Sequence, residues 1–239
     1  MSGISNGRQT APTRAVVCLS GGMDSAVCAA LAAREHRIYA LHFSYGQRTE
    51  ARELQAARAV AARLRAEQFL PLRIDLFRHI GGSALTDARI DVPAAPPAGE
   101  IGESIPVTYV PFRNAHFLAA AVSWAEVLGA GAVYIGAVEQ DSSGYPDCRP
   151  AYYDAFQRLT SLGTRDGDIK IETPLIDLRK EAIVRLGLEL GVPFGLTWSC
   201  YSGESSACGV CESCVLRLRA FAGAGSPDPV PYAGPGSHP

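Results

Sequence analysis

Short apolar runs alternate along this chain with longer stretches in which apolar residues recur every three or four positions. The runs are typical of buried strands and cover residues 15–19, 38–43, 69–74, 132–137 and 169–172, with a shorter extended stretch at 107–110. The periodic stretches predict helices over residues 49–66, 114–128 and 177–190, the last with Asp177 as N-cap, and the alanine-rich stretch over 26–33 predicts a helix after the first strand. This alternation predicts an α/β fold, a parallel sheet with helices on both faces.

Within the helix predicted over 49–66, the apolar spacing separates a face toward the sheet from a face toward solvent. Leu54, Ala57, Ala61 and Leu64 share the inner face, and charged residues, Glu53 among them, are predicted on the outer face. By contrast, residues 75–105 are rich in proline, alanine and glycine without a consistent period. We expect them to form a long loop that covers the ligand site of the predicted sheet.

The ends of the chain differ from its body in composition. Residues 1–13 are polar and predict a flexible lead-in, and residues 223–239 are mostly glycine, proline, alanine and serine, which predicts a mobile tail. Between them we expect an α/β domain over residues 14–195 and a small C-terminal segment over 196–222.

Bulk composition narrows the class of protein. The chain has 239 residues, 47% hydrophobic and 19% charged, with a formal net charge of −2 and scattered lysines and arginines. This balance favours a small-molecule substrate over direct contact with nucleic acid. Its apolar runs are too short to span a membrane, and the lead-in has no apolar core of signal-peptide length, so we expect a cytoplasmic protein.

A glycine turn joins the first predicted strand to the first predicted helix. Residues 20–25 read SGGMDS, whose two glycines let the backbone approach an anion while the first helical amides supply donors. Ser20 and Ser25 add hydroxyls, and Asp24 offers oxygens to a magnesium ion. The alternative is a tight turn in which serine and aspartate only cap the helix.

Polar loops follow other strands of the predicted sheet. In parallel sheets, ligands bind beyond the carboxyl ends of the strands, where residues 20–25, 44–48 and 139–149 are all expected. The sequence therefore predicts one crevice lined by three loops.

Four of the seven cysteines are closely spaced near the C-terminus: Cys200, Cys208, Cys211 and Cys214. Such spacing lets thiolates converge on one ion, and four sulfur ligands without an open position are typical of structural zinc. An iron–sulfur cluster and a redox or disulfide role remain alternatives. Cys18 and Cys28 are predicted core residues, whereas the role of Cys148 stays open.

Several motifs together resemble a known family. SGGMDS resembles the loop of the ATP pyrophosphatases, also called the PP-loop superfamily. With SYGQR at 44–48, VPFRN at 110–114, SGYPDCR at 143–149 and the cysteine set, the chain resembles the QueC family over residues 15 to about 220. The resemblance implies a Rossmann-like, adenine-nucleotide-binding domain with a zinc-binding C-terminal segment. It also implies a homodimer that makes 7-cyano-7-deazaguanine from 7-carboxy-7-deazaguanine, ammonia and ATP in queuosine biosynthesis.

The resemblance also implies roles for individual residues. Those that hold ATP phosphates and magnesium would be Ser20, Gly21, Gly22, Met23, Asp24, Ser25 and Lys180. Those that contact the acid substrate would be Arg113, Asn114, Tyr145, Asp147 and Arg149. Asp24 and the two arginines are the predicted catalytic residues, because a guanidinium grips a carboxylate with two hydrogen bonds. The competing interpretations are solvated ion pairs for the arginines, turn chemistry for the Tyr-Pro-Asp sequence and a surface position for Lys180.

Two positions depart from the family pattern: Phe112 stands where relatives have glycine, and Ser142 where they often have an aromatic residue. Both changes bear on the pocket expected to hold the acid substrate.

Two other functions compete with the family assignment. An ATP pyrophosphatase acting on a different acid or a tRNA base would share the SGGMDS loop, and a non-catalytic zinc-ribbon module would share the cysteines.

Overall fold

Five parallel strands form the predicted sheet in a computed structural model that describes residues 13–96, 105–139 and 144–233. The strands are β1 (Thr13–Cys18), β2 (His36–Ser44), β3 (Gln68–Arg73), β4 (Ala132–Ile135) and β5 (Lys170–Glu172). Their order is β3-β2-β1-β4-β5, and every neighbouring pair is parallel. The chain reverses its direction of travel across the sheet between β1 and β4, where a crevice opens at the strand ends. The predicted α/β class is confirmed.

Helices and a 3₁₀ turn connect these strands, and two more helices and a second 3₁₀ turn follow β5. The helices are α1 (Met23–Glu35), α2 (Glu50–Arg63), α3 (Leu76–Ile80), α4 (Arg113–Leu128), α5 (Pro150–Gly163), α6 (Lys180–Glu189) and α7 (Glu212–Gly223), and the 3₁₀ turns are Pro146–Cys148 and Phe194–Leu196. The sequence did not predict α3, α5 or α7. Residues 107–110 form a turn rather than a strand, and α6 begins after Arg179 rather than at the proposed cap Asp177.

Alternate residues of β1 supply two hydrophobic cores, one on each face of the sheet. Val17 lies in the core formed with α1, α2 and α6, whereas Val16 lies in the core formed with α4 and α5. Both valines are fully buried. Cys18 and Cys28 are also buried, as predicted for core residues. The sheet therefore has helices on both faces, and its strand ends are fixed from two sides.

The C-terminal segment after α7 is packed as far as residue 233. Arg217 of α7 forms a buried ion pair with Asp228, with 2.7 Å between Nε and Oδ2. Tyr232 donates a hydrogen bond to the same carboxylate, and Ala207 N donates to Pro231 O. This part of the predicted mobile tail therefore has defined contacts. Residues 1–12 and 234–239 lie outside the described residues, as do Ser142 and its neighbours at 140–143.

Candidate functional site

A cavity of about 280 Å³ opens at the carboxyl ends of β1, β2 and β4. Its wall includes Ser20 and Asp24 after β1, Tyr45 after β2, and Gly136 and Tyr145 after β4. These three loops meet as the topology predicts. Leu85, from the long segment after β3, also lines the cavity, so the described part of that segment reaches the site.

The loop after β1 presents backbone amides to this cavity. Helix α1 begins after Gly22, which has no side chain to cap the amides of the first turn. The two serine hydroxyls bond to each other at 2.9 Å, and Gly22 N donates to Ser20 Oγ at 3.1 Å. Because Ser20 and Ser25 bond to one another and to Gly22, they shape the loop, and the helix N-terminus remains available to an anion.

Two glycines are required for this loop to fit its surroundings. Gly21 has a φ of +95°, and a Cβ there would lie 2.6 Å from Glu53 O of α2. Gly136 follows β4, and a Cβ there would lie 2.9 Å from Ser25 N. Backbone from both sides thus packs against the loop more closely than any side chain permits. The sequence analysis did not identify Gly136, and no local pattern marks it.

Asp24 and Lys180 meet at the mouth of the loop although they lie 156 residues apart in sequence. Lys180 Nζ is 2.5 Å from Asp24 Oδ2, and the lysine side chain is only 14% exposed. Lys180 is therefore not the surface residue of the alternative interpretation. Asp24 Oδ1 is buried and has no hydrogen-bond partner among the described residues. A free carboxylate oxygen beside amide donors fits a magnesium ion that bridges phosphate oxygens.

Arg113 is the first residue of α4 and lies opposite the phosphate loop. Its Nη1 donates to Tyr45 OH at 3.0 Å, and the guanidinium carbon lies 5.5 Å from the Tyr45 ring and 5.6 Å from the Phe117 ring. Arg113 forms no ion pair with any described residue, and its Nε is buried without a partner. A partly buried guanidinium with a free donor is suited to an anionic substrate.

The residue before Arg113 has an unusual backbone conformation. Phe112 has a φ of 57° and a ψ of 24°, in the left-handed region, where glycine is favoured over a side chain such as phenylalanine. Its ring is 61% exposed. Phe112, which departs from the family pattern, thus projects beside Arg113 without filling the cavity.

Asn114 and Asp147 hold the start of α4 in place. Asp147 Oδ2 accepts a hydrogen bond from Asn114 N, and Asn114 Nδ2 donates to Asp147 O, each at 3.1 Å. Burial raises the pKa of Asp147, while Arg113 and the Asn114 amide oppose that shift. Asn114 lines the cavity, but Asp147 is not among the described residues that do. Asp147 therefore contacts the start of α4, and its Oδ1 is buried without a partner among the described residues. Its direct contact with the substrate stays a prediction.

Tyr145 and Arg149 both belong to the SGYPDCR segment, but their side chains lie in different places. Tyr145 lines the cavity, and its hydroxyl lies 3.0 Å from Thr108 Oγ1. Arg149 is exposed at the start of α5 and is not among the described residues that line the cavity. The structure brings Arg113 to the site and leaves Arg149 outside it.

The Cys148 thiol also lines the cavity. Asn114 Nδ2 lies 3.8 Å from its sulfur, and burial raises the pKa of the thiol to about 11. A thiol with this pKa is protonated at neutral pH and is a poor nucleophile. This favours a packing role for Cys148.

Glu53 lies on the cavity wall, so its predicted place on the outer face of α2 is wrong. The buried face of α2 includes Ala57 and Val60, and Glu53 precedes them by four and seven residues. The inner stripe of the helix therefore begins at Glu53, a spacing visible in the sequence but overridden there by its charge. Burial raises the pKa of this carboxyl to about 7.

The four clustered cysteines converge at the C-terminal segment. Their sulfurs all lie within 4.8 Å of one another, and Cys208 Sγ is 3.9 Å from Cys214 Sγ. Tetrahedral zinc with bonds of about 2.3 Å places its sulfurs about 3.8 Å apart, so the set fits this metal. Gly203 N and Cys208 N donate to Cys200 Sγ at 3.1 and 3.3 Å, which favours its thiolate form.

This cysteine cluster is joined to the phosphate loop. Trp198 N, two residues before Cys200, donates to Gly21 O at 2.8 Å, and Thr49 Oγ1 lies 3.2 Å from Cys200 O. A metal held by the cysteines would therefore stabilise one wall of the cavity without facing a substrate.

Comparisons with known proteins show which family this chain is similar to. A family model described as "Queuosine biosynthesis protein QueC" matches residues 14–225. The 7-cyano-7-deazaguanine synthase of Acidobacterium capsulatum is 73% identical over 221 residues, 92% of this chain and 96% of that protein. Those of Koribacter versatilis and Chlorobium phaeobacteroides are 68% and 53% identical, again over 92% of this chain and over 93% and 96% of the relatives.

One finding concerns membranes. None of the helices in the described part of the chain combines the length and the apolar character needed to cross a bilayer.

Proposed function

The chain belongs to the QueC family of queuosine biosynthesis proteins, and we propose that it converts 7-carboxy-7-deazaguanine, ammonia and ATP into 7-cyano-7-deazaguanine. It is an ATP-dependent enzyme that forms carbon–nitrogen bonds, like the other members of this family. The observation that carries the specific reaction is a single cavity in which the phosphate loop and the partly buried Arg113 meet.

The reaction begins with activation of the acid. A carboxylate oxygen is a poor leaving group, so it first attacks the α-phosphorus of ATP, and the bond from that phosphorus to pyrophosphate breaks. Arg113 holds the carboxylate toward the loop, and its free Nε donor supports this role. The amides at the start of α1, together with Lys180, stabilise negative charge that develops on the departing pyrophosphate.

Ammonia then replaces AMP to give the amide. The nitrogen lone pair forms a bond to the acyl carbon, and the carbon–oxygen bond to AMP breaks. The amide oxygen attacks a second ATP, again releasing pyrophosphate. Loss of both N–H protons and of AMP then gives the nitrile, so one phosphate loop serves both activations.

Two metals complete the proposal, each supported by the residues that would hold it. Asp24 would hold magnesium through its free Oδ1, and the ion would neutralise phosphate charge. The four cysteines would hold structural zinc, since their closed set of sulfur donors leaves no position for substrate. The hydrogen bond from Trp198 to Gly21 would transmit that rigidity to the loop.

The test is incubation with ATP, magnesium, ammonium and 7-carboxy-7-deazaguanine, followed by mass spectrometry. We expect AMP and the nitrile together, and the loss of both in Asp24→Ala. Arg113→Ala should lose at least about 100-fold in kcat/KM, whereas Arg149→Ala should stay close to wild type. AMP formed without nitrile would indicate another acceptor acid, and no nucleotide turnover at all would contradict the proposal.

A cytoplasmic location and a homodimer extend this proposal and are supported by the family resemblance alone. Light scattering on the purified protein would test the dimer, and fractionation of cells would test the location.

A further inference from the structure

The side chain of Glu53 is held in a fixed position on the cavity wall. Its Oε1 accepts a hydrogen bond from Thr49 Oγ1 at 2.7 Å, and its Oε2 accepts one from Gln47 Nε2 at 3.1 Å. Gln47 is itself buried, and its Oε1 accepts from Tyr45 N at 2.8 Å. A carboxylate has about four acceptor sites, so Glu53 keeps acceptor capacity for a ligand in the cavity.

The ionised form of Glu53 is costly at this place in the cavity wall unless a cation binds to it. Arg113 faces it from α4 and favours its ionised form, while Glu50, one turn earlier on α2, disfavours it. Tyr45 accepts a hydrogen bond from Arg113, and its phenol is neutral because burial raises its pKa to about 12. The proposed organic substrate and the ATP phosphates are both anions, which a carboxylate repels.

We propose that Glu53 binds the ammonium ion and accepts one of its protons, so that ammonia reaches the activated acid as a nucleophile. This inference rests on the proposed function, in which ammonium is the cationic substrate. It assigns to Glu53 the role of general base, for which the resemblance named no residue.

The proposed step conserves protons and electrons. One N–H proton passes from ammonium to a Glu53 oxygen, and the nitrogen keeps that electron pair. The pair forms the bond to the acyl carbon, and AMP departs with the electrons of the carbon–oxygen bond. A further N–H proton leaves to water or to the AMP phosphate, which gives the neutral amide. Glu53 then returns its proton to solvent for the next cycle.

The acidity of Glu53 suits this exchange. Its pKa of about 7 leaves a useful share of carboxylate at neutral pH and makes it a stronger base than an exposed glutamate. Aspartate or glutamate at an ordinary pKa would be too weak to hold the proton for long.

The experiment compares two nucleophiles in Glu53→Gln and in the control Glu50→Gln. Glu50 lies on the same helix but is not among the described residues that line the cavity, and its carboxylate contacts Gly46 N and Arg73. Hydroxylamine is largely neutral at pH 7, so it reacts with an activated acid without a base. The assay measures kcat/KM for ammonium and for hydroxylamine, with AMP release as a common readout and thermal unfolding as a check on folding.

For Glu53→Gln we expect a loss of about 100-fold or more in kcat/KM for ammonium and little change for hydroxylamine. Wild type should show a rise in ammonium kcat/KM centred near pH 7, Glu50→Gln should keep this rise with its centre moved to lower pH because a neighbouring negative charge is lost, and Glu53→Gln should lack it. Equal losses with both nucleophiles, or no loss with either, would overturn the inference, as would a loss that added magnesium restores. A wild-type enzyme that releases no AMP with either nucleophile would refute the proposed function itself.

Discussion

The substitution Gly136→Ala tests whether the phosphate loop is held by close backbone packing. The added Cβ would lie 2.9 Å from Ser25 N and 3.0 Å from Asp24 C and O, all in the first turn of α1. Ordinary carbon contacts begin at about 3.4 Å, and backbone atoms cannot rotate away as a flexible side chain can. Either β4 or the loop must therefore move.

The required displacement sets the size of the effect. Restoring ordinary contact needs a shift of roughly 0.5 to 1 Å, and a 1 Å misplacement of catalytic groups can cost about 100-fold in rate. Overpacking of this kind also costs about 1 to 3 kcal/mol in the free energy of unfolding. We therefore expect kcat/KM for ATP to fall about 10- to 100-fold, with a moderate loss of stability.

The chain offers a matched control at the other end of the same strand. Gly131 directly precedes β4 as Gly136 directly follows it, and a Cβ at Gly131 would meet nothing within 4 Å. The assay is pyrophosphate release as a function of ATP concentration, together with urea unfolding of both variants. If Gly136→Ala keeps the kcat/KM of Gly131→Ala, the loop does not depend on this contact and the argument fails.

Three further predictions concern the rest of the chain. Arg217→Met and Asp228→Leu should each lower the free energy of unfolding in urea by about 3 to 5 kcal/mol, because each leaves a buried charge unpaired. The double variant should lose less than the sum of the two single losses, and additive losses would contradict the coupling. Cys148→Ser should keep nitrile formation within about threefold of wild type, since a thiol with a pKa of about 11 does not serve as a nucleophile, and complete loss of activity would show covalent participation. Elemental analysis should find about one zinc per chain. Removing the zinc with a chelator should lower both the melting temperature and ATP turnover, because the hydrogen bond from Trp198 to Gly21 joins the cysteine segment to the phosphate loop. Iron with visible absorbance would refute this assignment.

Much of the fold and part of the candidate site could be predicted from the sequence. Strands β1, β2 and β4 match the apolar runs because a strand buried on both faces needs continuous apolar side chains. The edge strand β3 also matches its run, although none of its residues is fully buried. Helices α1, α2, α4 and α6 were also predicted, from the arrangement of apolar residues along their stretches. Helices α5 and α7 were missed, because residues 150–163 were assigned to no element and the residues around the cysteines were assigned only to a zinc-binding segment. The loop Ser20–Ser25 and the cysteine cluster were predictable because each motif is contiguous or nearly so.

The sequence by itself thus determined which segments form strands and helices, where an anion-binding turn lies and which thiols can share a metal. Only the tertiary structure decided that Glu53 faces the cavity, that Gly136 packs on the phosphate loop and that Arg149 lies outside the site. It also decided that Asp228 is buried against Arg217. The physical reason is that periodicity and motifs report local conformation, whereas these contacts join residues that are distant along the chain and become neighbours only when the sheet and its helices pack.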